Sequence, residues 1–157
     1  MADPTYLPLL NAIAVNEAKG EILLNAWADA TKDEALEQAL RFVAIREGEH
    51  HWAFAKRMCE LGHAVCEETA FQVFKDFDDL LAFVSSDASD AEKIARQDRG
   101  EGSDGPDIFS SFFNDTTIDP QTGELLGRYI AEERDSGRRL KAEYDRICGA
   151  AGDAASA

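Results

Sequence analysis

Apolar residues recur along this chain at three- and four-residue steps, the spacing of one face of a helix. Between residues 5 and 31 the recurring positions are Leu10, Ile13, Leu24 and Trp27, with Glu17 and Gly20 in the two intermediate places. From Asp33 to Leu61 the stripe is Leu36, Leu40, Val43, Glu47, His50, Phe54 and Leu61, and Gly62 supplies a C-terminal stop. A third helical segment is expected near Glu68, with Phe71, Phe74, Phe77, Leu81 and Val84 inward; residues 85–98 either continue it after a break or form a separate short helix. Residues 99–107 are loop by composition, and Ile108, Phe109, Phe112 and Phe113 form a hydrophobic plug that returns the chain to the core. Asp119-Pro120 starts the last helix, an N-cap acid before a proline at the first helical position. Its expected inward stripe is Leu126, Ile130, Glu133, Gly137, Leu140, Tyr144 and Ile147, ending near Cys148. No alternating pattern marks a strand. The pattern predicts an all-α domain over residues 1–148, a four-helix bundle of long helices, with a disordered tail over 149–157.

The chemistry lies in what interrupts these stripes. Glu17 is in step with Ile13 and Leu24, Glu47 with Val43 and Phe54, and Glu133 with Ile130 and Leu140; His50 follows Glu47 on the same side. An unpaired charge in a core costs several kcal/mol, so such residues need compensation. Glu17 lies fifteen residues before Lys32, at the first helix turn, and Glu47 fifteen after it. At 1.5 Å per residue both are about 22 Å from the turn, which puts them level in an antiparallel pair. Three carboxylates and an imidazole thus converge on the bundle centre, where a cation would relieve their repulsion. Glu47 and His50, three apart, share a helix face. Oxygen and nitrogen donors together suit iron, manganese or zinc better than calcium.

Composition narrows the rest. With 157 residues the chain is long enough to bury a substantial core. Sixteen Lys and Arg face 31 Asp and Glu, a net charge of -15, which argues against nucleic acid and against an anionic membrane surface. No apolar run reaches the ~20 residues of a membrane helix. Three cysteines without CxxC spacing suggest a reducing, cytoplasmic setting. Cys59, His63 and Cys66 resemble a fragment of a zinc site that lacks a fourth ligand, and otherwise read as ordinary reduced cysteines at a helix end.

The runs NEAKGEILLNAWADA and LRFVAIREGEHHWAFAKRMCELG resemble the first helix pair of the ferritin-like proteins, especially the rubrerythrin branch. The segment IAEERDSGRRL resembles the last metal-binding helix of that family. The resemblance implies a two-metal site in which two helices each give a Glu and two others each give a Glu-x-x-His pair. By position Glu17 takes the place of the lone Glu, Glu47 and His50 the first pair, and Glu133 the glutamate of the second. Ser136 stands where the family has His, and the third segment presents Phe, Leu and Val where a Glu is expected. Asp78 and Asp79 are off that stripe, and Glu92 or Glu101 would serve only in a later-placed helix.

Two readings follow. In one, Glu17, Glu47, His50 and Glu133 hold one metal ion, or two with exogenous ligands, with Glu47 the central bridge and iron-centred redox, dioxygen or peroxide chemistry in view. In the other, the fold persists as a metal-free structural or interaction module, its acids neutralised by cations such as Lys19, Arg134, Arg138 or Arg139. A complete two-iron oxidase would need a third-segment donor and a substitute for the missing histidine. Glu132 and Asp135 are expected to project outward. Pairing of two copies through an aromatic helix face is a further expectation.

Overall fold

The computed structural model describes residues 2–100 and 114–156. Glu101 and the plug of Ile108, Phe109, Phe112 and Phe113 lie outside them. The described residues form helices and no strands, so the all-α class holds among them. We number the helices α1 (Leu7–Ala30), α2 (Glu34–Glu60), α3 (Phe77–Val84), α4 (Asp90–Gly100) and α5 (Pro120–Ser156). Three are long and two are short, where the sequence pattern suggests four long ones.

The boundaries follow local chemistry. Asp33 caps α2 by accepting the Leu36 N–H at 2.9 Å. Gly62, at φ 86°, ends it in a conformation that costs a glycine little. Asp119 accepts the Thr122 N–H at 3.0 Å and opens α5. That helix continues through Ser156 rather than stopping near Cys148, so the tail expected to be disordered is helical here; its alanines have high helix propensity.

The third segment departs most from expectation. Residues 69–76 are not helical, and Phe71 is 54% exposed rather than in the core. Two buried asparagines on α1 explain this. Asn11 donates to the Cys66 carbonyl at 2.8 Å and accepts its N–H at 2.9 Å. Asn16 likewise donates to the Phe71 carbonyl at 2.7 Å and accepts the Val73 N–H at 3.0 Å. Their amides satisfy backbone groups that a helix would otherwise pair internally. Helix formation resumes at Phe77, and Phe74, Phe77 and Leu81 pack on the core as expected.

In α1 every residue from Leu10 to Glu17 is buried; the helix packs along α2 and also meets α3, and its Leu10 and Ile13 share an apolar cluster with Leu126 and Tyr129 of α5. A three-residue connection sets α2 beside it, antiparallel. The apolar core falls into two clusters. One contains Leu10, Ile13, Phe54, Met58, Leu126 and Tyr129. The other contains Leu24, Trp27, Leu36, Leu40, Val84 and Ile94. On each long helix the polar residues singled out above fall between the two clusters, at 17–20, 47–50 and 132–136. The fold therefore encloses a polar layer midway along its length.

Candidate metal centre

α1 contributes Glu17 to this layer, α2 contributes His50, and α5 contributes Glu133. One ligand atom from each lies within 4.8 Å of the others. Glu17 and His50 are 7% and 4% exposed. His50 Nδ1 stands 3.1 Å from Glu17 Oε2 and 3.7 Å from Glu133 Oε1. Although the Glu133 side chain as a whole is 36% exposed, its Oε1 is buried and has no hydrogen-bond partner. A buried anionic oxygen without a partner is costly, and a cation shared with Glu17 and His50 would remove that cost.

Glu47 stands at the margin of this trio rather than bridging it. Its carboxylate occupies the space beside Gly20: a Cβ built there would lie 1.7 Å from Glu47 Oε2. Glu21 occupies the corresponding space beside Gly48 on the opposite helix, 2.8 Å from a built Cβ. The two glycines thus make room for two carboxylates where α1 and α2 meet. The register sets Glu47 opposite Gly20 and Glu17 opposite His50, so the expected level match of Glu17 and Glu47 is off by about one helical turn, and the central role expected of Glu47 does not follow.

Electrostatics within the layer favour added positive charge. Burial, then the charges of Glu17, Glu133 and Glu21, push the Glu47 carboxyl up to about 9. Burial and then Glu17 push Glu133 up to about 7, with His50 and Arg46 pulling the other way. Burial opposes protonation of His50, but its hydrogen bonds to Glu17 and Glu132 outweigh it and raise the imidazole above its ordinary value. Of the cations invoked as neutralising partners, Lys19, Arg138 and Arg139 are engaged elsewhere. Lys19 pairs with Glu67 at 3.0 Å and Arg139 with Asp135 at 2.7 Å. Arg46 reaches the same stretch of α5 but bonds Asp135 at 2.8 Å, the Ser136 hydroxyl at 3.1 Å and the Glu132 carbonyl at 3.2 Å.

Two residues of the site escape the stripe assigned to α5. Tyr129, not Ile130, is its buried aromatic; the hydroxyl donates to Glu17 Oε1 at 3.1 Å, and the ring meets His50 edge-on at 4.9 Å. Burial, then the charges of Glu17 and Glu133, hold the Tyr129 phenol above its usual range and keep it a donor. Glu132 turns inward instead of outward, with Oε2 2.6 Å from His50 Nε2. Arg128 holds its other oxygen at 2.7 Å. These hydrogen bonds outweigh burial and keep Glu132 below the usual carboxylate value. The inward face of α5 runs through Leu126, Tyr129 and Ser136, so Glu132 and Glu133 straddle it. A one-residue change of stripe in the sequence would have shown both.

Ser136, where the resemblance expects a histidine, is 4% exposed and bonded to Arg46. Neither Asp79 nor Glu92 supplies a missing ligand: Asp79 pairs with Arg96, and Glu92 accepts the Ser89 N–H at 2.8 Å. The Cys59, His63, Cys66 run does not assemble. Cys59 is exposed, His63 faces Asp3 at 3.4 Å, and the Cys66 thiol donates to Glu68 at 3.2 Å. No helix among the described residues is long and apolar enough to cross a membrane. No protein-family model, curated protein or solved structure matches the chain.

Proposed function

We propose that this chain is a ferritin-like metal-binding protein with a reduced centre. In it Glu17, His50 and Glu133 hold one transition-metal ion, iron or manganese, and Glu47 adds negative charge at the margin. The observation that carries this reading is the buried, unpartnered Glu133 Oε1 beside Glu17 Oε2 and His50 Nδ1. Two carboxylate oxygens and one imidazole nitrogen form a donor set suited to iron, manganese or zinc.

The surrounding groups fit the same role. With its Nε2–H donated to Glu132, His50 presents the Nδ1 lone pair to Glu17 and Glu133, the arrangement by which an outer carboxylate orients a metal-binding imidazole. Tyr129 fixes the second oxygen of Glu17, leaving the first to turn inward. A bound iron or manganese ion with three protein ligands would supply redox chemistry toward dioxygen or peroxide at its open positions.

A second reading draws on the same imidazole. His50 stands between Glu17 and Glu132, and as an imidazolium it would donate to both without a metal. Metal analysis separates the two. Protein purified without a histidine tag after iron or manganese supplementation is expected to carry about one ion per chain, and His50→Ala to lose it. A parent protein free of transition metal under those conditions would establish the metal-free module.

A further inference from the structure

Beyond the metal trio lies an open cavity of about 590 Å³ lined by α1, α2, α4, α5 and Phe74. Its walls are mostly apolar, from Leu23, Leu24, Phe74, Ile94 and Leu140, with Gln97 and Tyr144 among them. Glu47 reaches it from the buried side, over Gly20. Lys141 and Asp145 are exposed at its outer rim and pair with each other at 2.5 Å. Gly137 also lines it, and a Cβ there would have nothing within 4 Å, so the space beside α5 is open.

We propose that this cavity binds a small organic amine with an apolar body, its ammonium group pairing with Glu47. Volume, lining and charge each support this. The volume falls within the ~300–1,000 Å³ typical of small-molecule sites, which combine mostly apolar walls with a few placed polar groups. Glu47 has no hydrogen-bond or ion-pair partner among the described residues, whereas the rim charges already neutralise each other. Glu17, Glu133 and Glu21 crowd this inner end and disfavour the ionised form of Glu47, so a cation placed there would relieve the repulsion among all four acids. An anionic head would be repelled there, and a neutral one would leave the crowded acids without a counter-charge. An ammonium group on an apolar chain answers both the acid and the walls. No metal is required for this contact.

Binding of n-octylamine, 1-octanol and octanoate to the full chain, as purified and after chelation, tests the assignment by calorimetry. Octylamine is expected to bind one per chain in the chelated protein, with octanol at least tenfold weaker and octanoate undetected. Gly137→Leu, which fills open space at a helical position, is expected to abolish octylamine binding while leaving helicity and metal content unchanged. Leu140→Trp narrows the same cavity from its wall and is expected to weaken binding in parallel, and Glu47→Gln is expected to weaken it at least tenfold. Equal binding of octanol or octanoate would overturn the proposal, as would octylamine binding that survives Gly137→Leu and Leu140→Trp. Metal content measured on the same samples keeps the two proposals separate: absence of metal with amine binding intact counts against the metal centre alone.

Discussion

Two polar networks are partly buried in this protein, and they are built on opposite principles. At one end of the bundle, Asp119 accepts hydrogen bonds from Tyr6 at 2.6 Å, Thr122 at 2.7 Å and Arg57 at 2.7 Å. Burial alone would raise its carboxyl, but these partners outweigh it and hold Asp119 well below the usual carboxylate range. Arg57 is shared further with Thr122 and Glu60. Each acid there has a donor. In the central layer Glu17, Glu132 and Glu133 surround a single imidazole with Glu47 at the margin, and the carboxyls of Glu47 and Glu133 are pushed up. The first network fastens α5 to α1 and α2. The second is short of positive charge. A buried polar cluster that satisfies itself is sufficiently explained by structure, and one that does not points to a ligand.

The contrast can be broken at either end. The largest effect is expected from Arg57→Ala, which removes donors from Asp119, Glu60 and Thr122 at once. It should cost about 2–3 kcal/mol in urea unfolding and leave metal content unchanged. A loss below 0.5 kcal/mol would show that the end network contributes little. Glu132→Gln should next weaken metal binding about 10–100-fold in competition with a chelating dye, with far-ultraviolet circular dichroism unchanged, because it loosens the hold on His50 Nε2. Unaltered affinity would remove Glu132 from the site.

The two networks also predict opposite responses to pH in metal-free protein. Glu47 is raised on folding, so its stabilising contribution is complete below about pH 4.5 and is lost as pH rises toward 9. Melting temperature should therefore fall between pH 6 and 8.5, with a contribution of about 1 kcal/mol per pH unit from Glu47. Added manganese should flatten that fall by supplying charge that the ionised carboxylates need. Asp119 is lowered on folding, so its contribution is present above about pH 3.8 and is lost as pH falls further. A metal-free protein whose stability rises from pH 6 to 8.5 would contradict the central crowding of acids. The smallest effect is expected from Cys66→Ser, whose thiol contacts only a neighbouring glutamate: within about 0.5 kcal/mol of the parent in urea and the same metal content.

Periodicity determined the helical class and the antiparallel α1–α2 pair, and local residue chemistry the helix ends at Gly62 and Asp119. Each depends on residues near in sequence, whose spacing or backbone preference acts locally. Only the tertiary structure decided that Asn11 and Asn16 would hold residues 66–73 out of a helix, because that choice rests on hydrogen bonds across more than fifty residues. It also decided the rotation of α5. The helix carries apolar residues on adjacent stripes, at Ile130 and at Tyr129, and the side chains it packs against select the second. With that rotation Glu132 gained His50, and Ser136 gained Arg46. The identities of three clustered candidate ligands were thus legible along the chain, while the groups that orient them depended on how one helix turned against two others.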